Sequence, residues 1–241
     1  MALKEIIYKE KRFSISYEIV NLKESRDIIF LHGWGSNKEV MKSAFKNSLK
    51  NFRHIYIDMP GFGKSPNSEV LKTKDYANII ELFLKESGFK KDIIVGHSFG
   101  GKVATLLNPK LLVLLSSAGI LEKKPLKVRA KITLFKLLKP FGGKKIREFF
   151  VSKDAKKMSE NMYETFKNVV DEDFSYFFEK YEGEVLIFWG DEDGATSLKS
   201  GEKIASLIRK SSFYPLKGDH YFFLQNSDFI SKKIEDSYEN V

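Results

Sequence analysis

Asp92-Ile93-Ile94-Val95-Gly96-His97-Ser98-Phe99-Gly100-Gly101 decides how this chain folds. Asp92–Val95 is a short apolar run of strand type, and Gly101 to Leu107 reads as a short helix ending at Asn108-Pro109. Between them, Gly96, Ser98 and Gly100 fit G-x-S-x-G. A serine on such a strand–turn–helix corner sits in strained backbone, with its hydroxyl pushed up into a cleft. Glycines two residues to either side let the chain pass close without Cβ clashes. The pentapeptide constrains only three positions, so its setting carries the weight. That setting nominates Ser98 as a nucleophile over a plain glycine-rich turn.

Outward from this turn, short apolar strands alternate with amphipathic helices. Strands are expected at Ile6–Tyr8, Phe13–Val20, Ile28–Leu31, Ile55–Ile57, Leu111–Leu115, Val185–Trp189 and Phe213–Leu216. In Phe13–Val20, Phe13, Ile15, Tyr17 and Ile19 alternate with polar residues, the half-buried pattern. Helices are expected at Lys38–Leu49, Thr73–Ser87, Ser197–Arg209 and Phe222–Tyr238. In the second, Tyr76, Ile79, Ile80, Phe83 and Leu84 share a face, and Gly88 follows as a cap. The fold class is α/β, a mostly parallel sheet covered by helices. Such sheets gather their chemistry at the carboxyl ends of the strands, where the glycine-rich clusters of this chain fall.

One segment breaks the rhythm. Residues 122–180 show helical patches, Leu126–Leu138 and Met158–Val170, but no strand. The expected organisation is a core of residues 1–121 and 181–241, with 122–180 inserted as a helical lid over the strand ends. Phe135, Phe141, Phe149, Phe150, Phe174 and Phe177 could line a pocket there, or pack the lid onto the core.

A serine hydroxyl is a poor nucleophile until a base takes its proton. The chain has four histidines. His97 neighbours Ser98 and should point elsewhere in a structural role. His54 opens a strand as a surface or packing residue, and His32 belongs to a glycine-rich turn. His220, in Gly218-Asp219-His220 past the last strand, remains as general base. The base needs an acid to orient it. The loop Gly190-Asp191-Glu192-Asp193-Gly194 offers three, and its place between Ser98 and His220 gives the order serine, acid, histidine. Residue chemistry does not choose among the three. The tetrahedral intermediate would take backbone N–H groups from Phe99, at the helix start, and from Trp34 in His32-Gly33-Trp34-Gly35.

Composition narrows the classes. The 241 residues allow one large domain with an insertion. There is no cysteine, hence no disulfide and no thiolate metal site, and nothing calls for a cofactor or metal. The N-terminal residues lack the apolar stretch of a signal peptide, and Leu111–Leu121 is too short to span a bilayer, so a soluble, cytoplasmic protein without a transmembrane segment is expected. The net charge of +9 is local: residues 122–157 hold thirteen Lys/Arg and three Asp/Glu, and the rest of the chain sums to −1. A local basic patch fits anionic small molecules, an acidic carrier protein or an anionic membrane surface better than nucleic acid, for which no binding motif stands beside it. A solvated charged face is the plainer alternative. Nothing indicates an oligomeric state.

Taken together, His32-Gly33-Trp34-Gly35, Asp58-Met59-Pro60-Gly61-Phe62-Gly63-Lys64-Ser65, the Ser98 turn, Trp189-Gly190-Asp191-Glu192-Asp193 and Gly218-Asp219-His220 resemble the α/β-hydrolase superfamily, in particular its lid-bearing esterase-like members. The resemblance implies that the last acid of W-G-x-x-D is the catalytic one, Asp193, with Asp191 its rival, and that Asp58 and Ser65 are structural. The His-Gly-Trp-Gly turn is similar to that of carboxylesterases cleaving pimeloyl-carrier-protein methyl ester, which meet an acidic carrier through a basic lid. The general pattern also resembles the meta-cleavage-product hydrolases, which cut a C–C bond in 2-hydroxy-6-oxo-dienoates. The function expected is a serine hydrolase of an ester or related acyl substrate working through Ser98, His220 and Asp193. The alternatives are dienoate C–C hydrolysis and a receptor-like binder on the same fold. One departure is the short helix after Ser98, only two turns long by this reading.

Overall fold

The computed structural model describes residues 2–122 and 158–239. Among them, eight strands form one sheet in the order β1-β2-β4-β3-β5-β6-β7-β8. They are β1 (Ala2–Tyr8), β2 (Lys11–Val20), β3 (Asp27–Leu31), β4 (Arg53–Ile57), β5 (Ile93–His97), β6 (Leu111–Leu115), β7 (Glu184–Gly190) and β8 (Ser211–Leu216). β1 and β2 form an antiparallel hairpin that joins β4 antiparallel, and β4-β3-β5-β6-β7-β8 are parallel throughout.

Burial explains that arrangement. Every residue of β3, β5 and β6 is buried, because a parallel sheet is covered on both faces. The period of two then assigns alternate side chains to two cores. Ile29 and Leu31 join a cluster with Ile79, Phe83, Val103 and Ile204, while Ile28 and Phe30 join Met41, Phe45, Ile230 and Ile234. Helices α2 (Thr73–Ser87), α3 (Phe99–Leu107) and α6 (Leu198–Leu207) therefore cover one face. Helices α1 (Lys38–Phe45) and α7 (Ser227–Tyr238) cover the other.

Element boundaries differ from the sequence reading where tertiary pairing intervenes. β1 begins at Ala2 because its full length pairs with β2, from Ala2 opposite Tyr17 to Tyr8 opposite Lys11. α1 stops at Phe45, short of Leu49, whose φ is +52°. The closing helix divides into a 3₁₀ turn, Phe222–Leu224, and α7. α3 starts at Phe99 rather than Gly101. Within the stretch expected as a lid, α4 (Glu160–Val169) and α5 (Ser175–Glu179) are described. Phe174 and Phe178 are buried in the main core, so this end of the insertion is packed down, whereas Phe177 is exposed. Leu126–Leu138, the basic cluster and Phe135, Phe141, Phe149 and Phe150 lie outside the described residues.

The Asp58–Ser65 segment is a latch between β4 and α1. Asp58 is buried and accepts from the Lys38 backbone N–H at 2.8 Å, from Lys38 Nζ at 2.6 Å and from the Lys64 N–H at 3.0 Å. Ser65 donates to the Asp58 carbonyl and accepts from the Ser16 N–H. These bonds hold the loop beside the His32–Gly35 turn. His32 completes the join, with Nδ1–H donating to the Gly33 carbonyl and Nε2 accepting from the Met59 N–H. Its burial holds the pKa down to about 4, so the ring stays neutral in this role. His54 proves fully buried, bonded to the Tyr56 hydroxyl and the Leu49 carbonyl.

Candidate active site

Ser98 links the last residue of β5 to the first of α3 with φ 51° and ψ −115°, outside the regions that side chains tolerate. Strain of this kind persists only where surrounding contacts over-determine it. Here the Ser98 N–H donates to the Leu115 carbonyl, and the Ser98 carbonyl accepts from the Gly101 and Ala118 N–H groups. Close approach makes the flanking glycines necessary. A Cβ on Gly96 would lie 2.5 Å from the Gly100 carbonyl oxygen, and one on Gly100 would lie 2.5 Å from that of Leu31.

His220 follows β8 in a loop that reaches the Asp193 loop after β7. His220 Nδ1 lies 2.7 Å from Asp193 Oδ2. The other Asp193 oxygen accepts from the Ala195 N–H at 2.7 Å and the Thr196 N–H at 2.9 Å, and the Thr196 hydroxyl donates to Oδ2 at 3.0 Å. Burial alone would raise this carboxyl. The bonds from His220 and the Thr196 backbone outweigh it and bring the pKa down to about 2, so Asp193 is a carboxylate at any working pH. Asp191 serves a different partner, since its Oδ1 accepts from the Gly218 N–H at 3.0 Å. Of the two rival aspartates, only Asp193 bonds the histidine. The carboxylate fixes the tautomer: Nδ1 carries the proton and Nε2 is left as an acceptor.

Trp34 and Phe99 come side by side, their rings 5.5 Å apart in an edge arrangement. The Phe99 N–H opens α3 and has no carbonyl within that helix to accept it. Ser98, Trp34 and Phe99 share a cavity of about 540 Å³ with Lys102, Phe166 and Glu172. α4 forms one wall, with Phe166 5.4 Å from the Trp34 ring, and it is held there by Asn161 on the Asn67 carbonyl and Thr165 on the Leu71 N–H.

The sequence does not single out the charged residues that line this cavity, Lys102, Glu122, Asp171 and Glu172; the first and last of them form a pair. Lys102 is 1% exposed, and its Nζ lies 2.5 Å from the Val169 carbonyl and 3.3 Å from Glu172 Oε2. Burial lowers its pKa, an effect the Glu172 carboxylate partly offsets. The Thr73 hydroxyl donates to the same Glu172 oxygen. A lysine in the apolar run Phe99–Leu107 is the one local signal of this pair. Among the described residues, no helix is long and apolar enough to cross a membrane.

The family described as alpha/beta hydrolase fold matches residues 28–110, from β3 through the Ser98 turn. Over 78 residues the chain is 36% identical to a pimeloyl-acyl-carrier-protein methyl ester esterase of Proteus mirabilis, which covers 32% of this chain and 29% of that one. The same-named protein of Vibrio campbellii is 34% identical over 106 residues, covering 41% and 40%. The chain thus aligns with well under half the length of these curated relatives. A solved thermophilic esterase from Thermogutta terrifontis superposes over 100% of this chain and 99% of its own with a TM-score of 0.73 at 15% identity, which speaks to the fold. With its parallel sheet, its strained turn at Ser98 and the match over residues 28–110, the chain has the α/β-hydrolase fold.

Proposed function

We propose that this chain is a serine hydrolase of esters or related acyl substrates. The observation that carries the proposal is the 2.7 Å contact between His220 and Asp193, on a loop whose His220 carbonyl lies 3.0 Å from Nε2 of His97, the residue before the strained Ser98. In the first step His220 Nε2 takes the Ser98 proton as Oγ adds to the carbonyl carbon. Asp193 holds Nδ1–H and stabilises the imidazolium. The oxyanion is received by the backbone N–H groups of Phe99 and Trp34. Collapse breaks the ester bond, and the imidazolium returns its proton to the departing alcohol. Water then adds to the acyl-enzyme with His220 again as base, releasing the acid and restoring Ser98.

The reading extends to a partner. The basic run 122–157 favours an anionic substrate or an acidic carrier protein met in the cytoplasm, and the names of the relatives above point the same way. The insertion 122–180 acts as the lid that bears this charge. Reversing Lys123, Lys124 and Lys127 to Glu should raise KM for a carrier-linked ester at low salt and leave p-nitrophenyl acetate untouched; equal KM values on the carrier-linked ester would refute the charge role.

The deciding experiment is turnover of p-nitrophenyl esters with fluorophosphonate labelling, using Ser98→Ala as control. Labelling and turnover that vanish together in Ser98→Ala support the proposal. Turnover of a 2-hydroxy-6-oxo-dienoate without ester turnover would move the chain to C–C hydrolysis. Absence of both labelling and turnover would leave a binding protein on this fold.

A further inference from the structure

His97 precedes the candidate nucleophile and has no part in the chemistry above. Its ring is buried, and Nε2 lies 3.0 Å from the backbone carbonyl oxygen of His220. A carbonyl oxygen only accepts, so Nε2 carries the proton and Nδ1 of the neutral ring is bare. Nδ1 is buried without a hydrogen-bond partner. A Cβ on Gly33 would lie 2.9 Å from Nδ1 and 3.2 Å from Ser98 Cβ, so the Gly33 turn packs closely on this edge of the ring. A second proton would put an N–H where no protein group accepts it. Burial first, and then the neighbouring His220 ring, hold the pKa down to about 3. His97 is a neutral donor of fixed tautomer. Its ring lies 4.6 Å from that of His220 and 4.9 Å from that of Phe223.

We propose that His97 is a positioning residue for the base: its Nε2–H holds the His220 main chain and its ring walls the imidazole, so the strand that carries Ser98 also sets where His220 stands. The inference rests on the Ser98–His220–Asp193 reading. Asp193 holds the His220 ring at one edge, and the Gly218 N–H is tied to Asp191, but neither bond reaches the His220 main chain. The His97 bond supplies that backbone anchor, and a misplacement of about 1 Å costs up to about a hundredfold in rate.

The test measures p-nitrophenyl acetate hydrolysis, fluorophosphonate labelling of Ser98 and thermal melting for the wild type, His97→Phe and His97→Gln. His97→Phe keeps a ring and loses the donor, and should lower kcat about tenfold or more with KM within about twofold. His97→Gln places an amide N–H at the reach of Nε2 and should recover most of the loss. Wild-type kcat in His97→Phe, or His97→Gln as slow as His97→Phe at equal melting temperature, overturns the proposal. Should His97→Phe fail to fold, ¹⁵N spectra of the wild-type histidines decide. An Nε2–H tautomer that does not titrate between about pH 5 and 8 supports it, and an Nδ1–H tautomer or titration in that range overturns it. A wild-type protein that neither labels nor turns over overturns the nucleophile reading itself. Labelled wild type with unimpaired His97→Phe overturns the positioning role alone.

Discussion

His220 Nδ1 stands 2.7 Å from Asp193 Oδ2, while Asp191, two residues away, gives its carboxylate to the Gly218 N–H. The two aspartates therefore do different work. Asp193→Asn presents the wrong group to Nδ1 and should lower kcat by about 10²- to 10⁴-fold. Asp191→Asn keeps an oxygen acceptor for Gly218 and should cost less than about tenfold. Steady-state kinetics of both variants check this, and equal losses would remove the distinction.

Acid should unfold the protein in two stages. His32 and His97 have folded pKa values of about 4 and about 3, below the ordinary imidazole value of about 6.5. The unfolded chain binds protons that these buried rings refuse, so stability falls as pH drops from about 6.5 towards those values. Asp193 acts later. Its folded pKa of about 2 lies below the ordinary aspartate value of about 3.9, so its contribution is present above about pH 4 and is lost as pH falls through about 2. Urea midpoints against pH should show a slope beginning near 6.5. His97→Gln should flatten the first stage and leave the second intact.

Ser98 holds a backbone conformation that favours glycine. Ser98→Ala keeps the Cβ and should abolish turnover without raising the melting temperature. Ser98→Gly should abolish turnover and gain about 1 kcal/mol of stability, because the strain is relieved. Calorimetry compares the two, and identical melting would argue against stored strain at this corner.

The Lys102–Glu172 ion pair of the cavity should respond asymmetrically. Lys102 is enclosed, whereas the Glu172 side chain is 32% exposed and can rehydrate. Glu172→Leu leaves the Lys102 ammonium on the Val169 carbonyl without its bonded carboxylate and should cost about 3 kcal/mol. Lys102→Met replaces the stem with apolar volume beside Phe99 and Phe174 and should cost about 1 kcal/mol or less. The double variant should recover most of the Glu172→Leu loss in a denaturant-based double-mutant cycle.

The parts of the fold that show in the sequence are those made by neighbours along the chain. β5, the Ser98 turn and α3 are consecutive, so an apolar run, two glycines and a helix-forming stretch suffice to read them. β3, β5 and β6 read as strands because burial on both faces leaves them uniformly apolar. The first residues of β1, Ala2–Glu5, carry no strand signal of their own, because they owe their strand state to pairing with β2. The Lys102–Glu172 pair was not legible, since the partners stand 70 positions apart. Three acids fall within three positions of the β7 loop, a spacing finer than any pattern resolves.

Local physics, written in residue order, settles the alternation of strand and helix, the need for glycine on both sides of Ser98 and the placing of the polar clusters at strand ends. Tertiary structure settles which of those clusters meet. Asp193 rather than Asp191 bonds His220 because the β7 and β8 loops are brought together by parallel pairing of their strands. His97, expected in a structural role, faces the His220 carbonyl because β5 ends beside that loop. Side-chain period and turn geometry act over a few residues, whereas contacts between strand-end loops depend on sheet order, which is decided only when the whole sheet closes over its two cores.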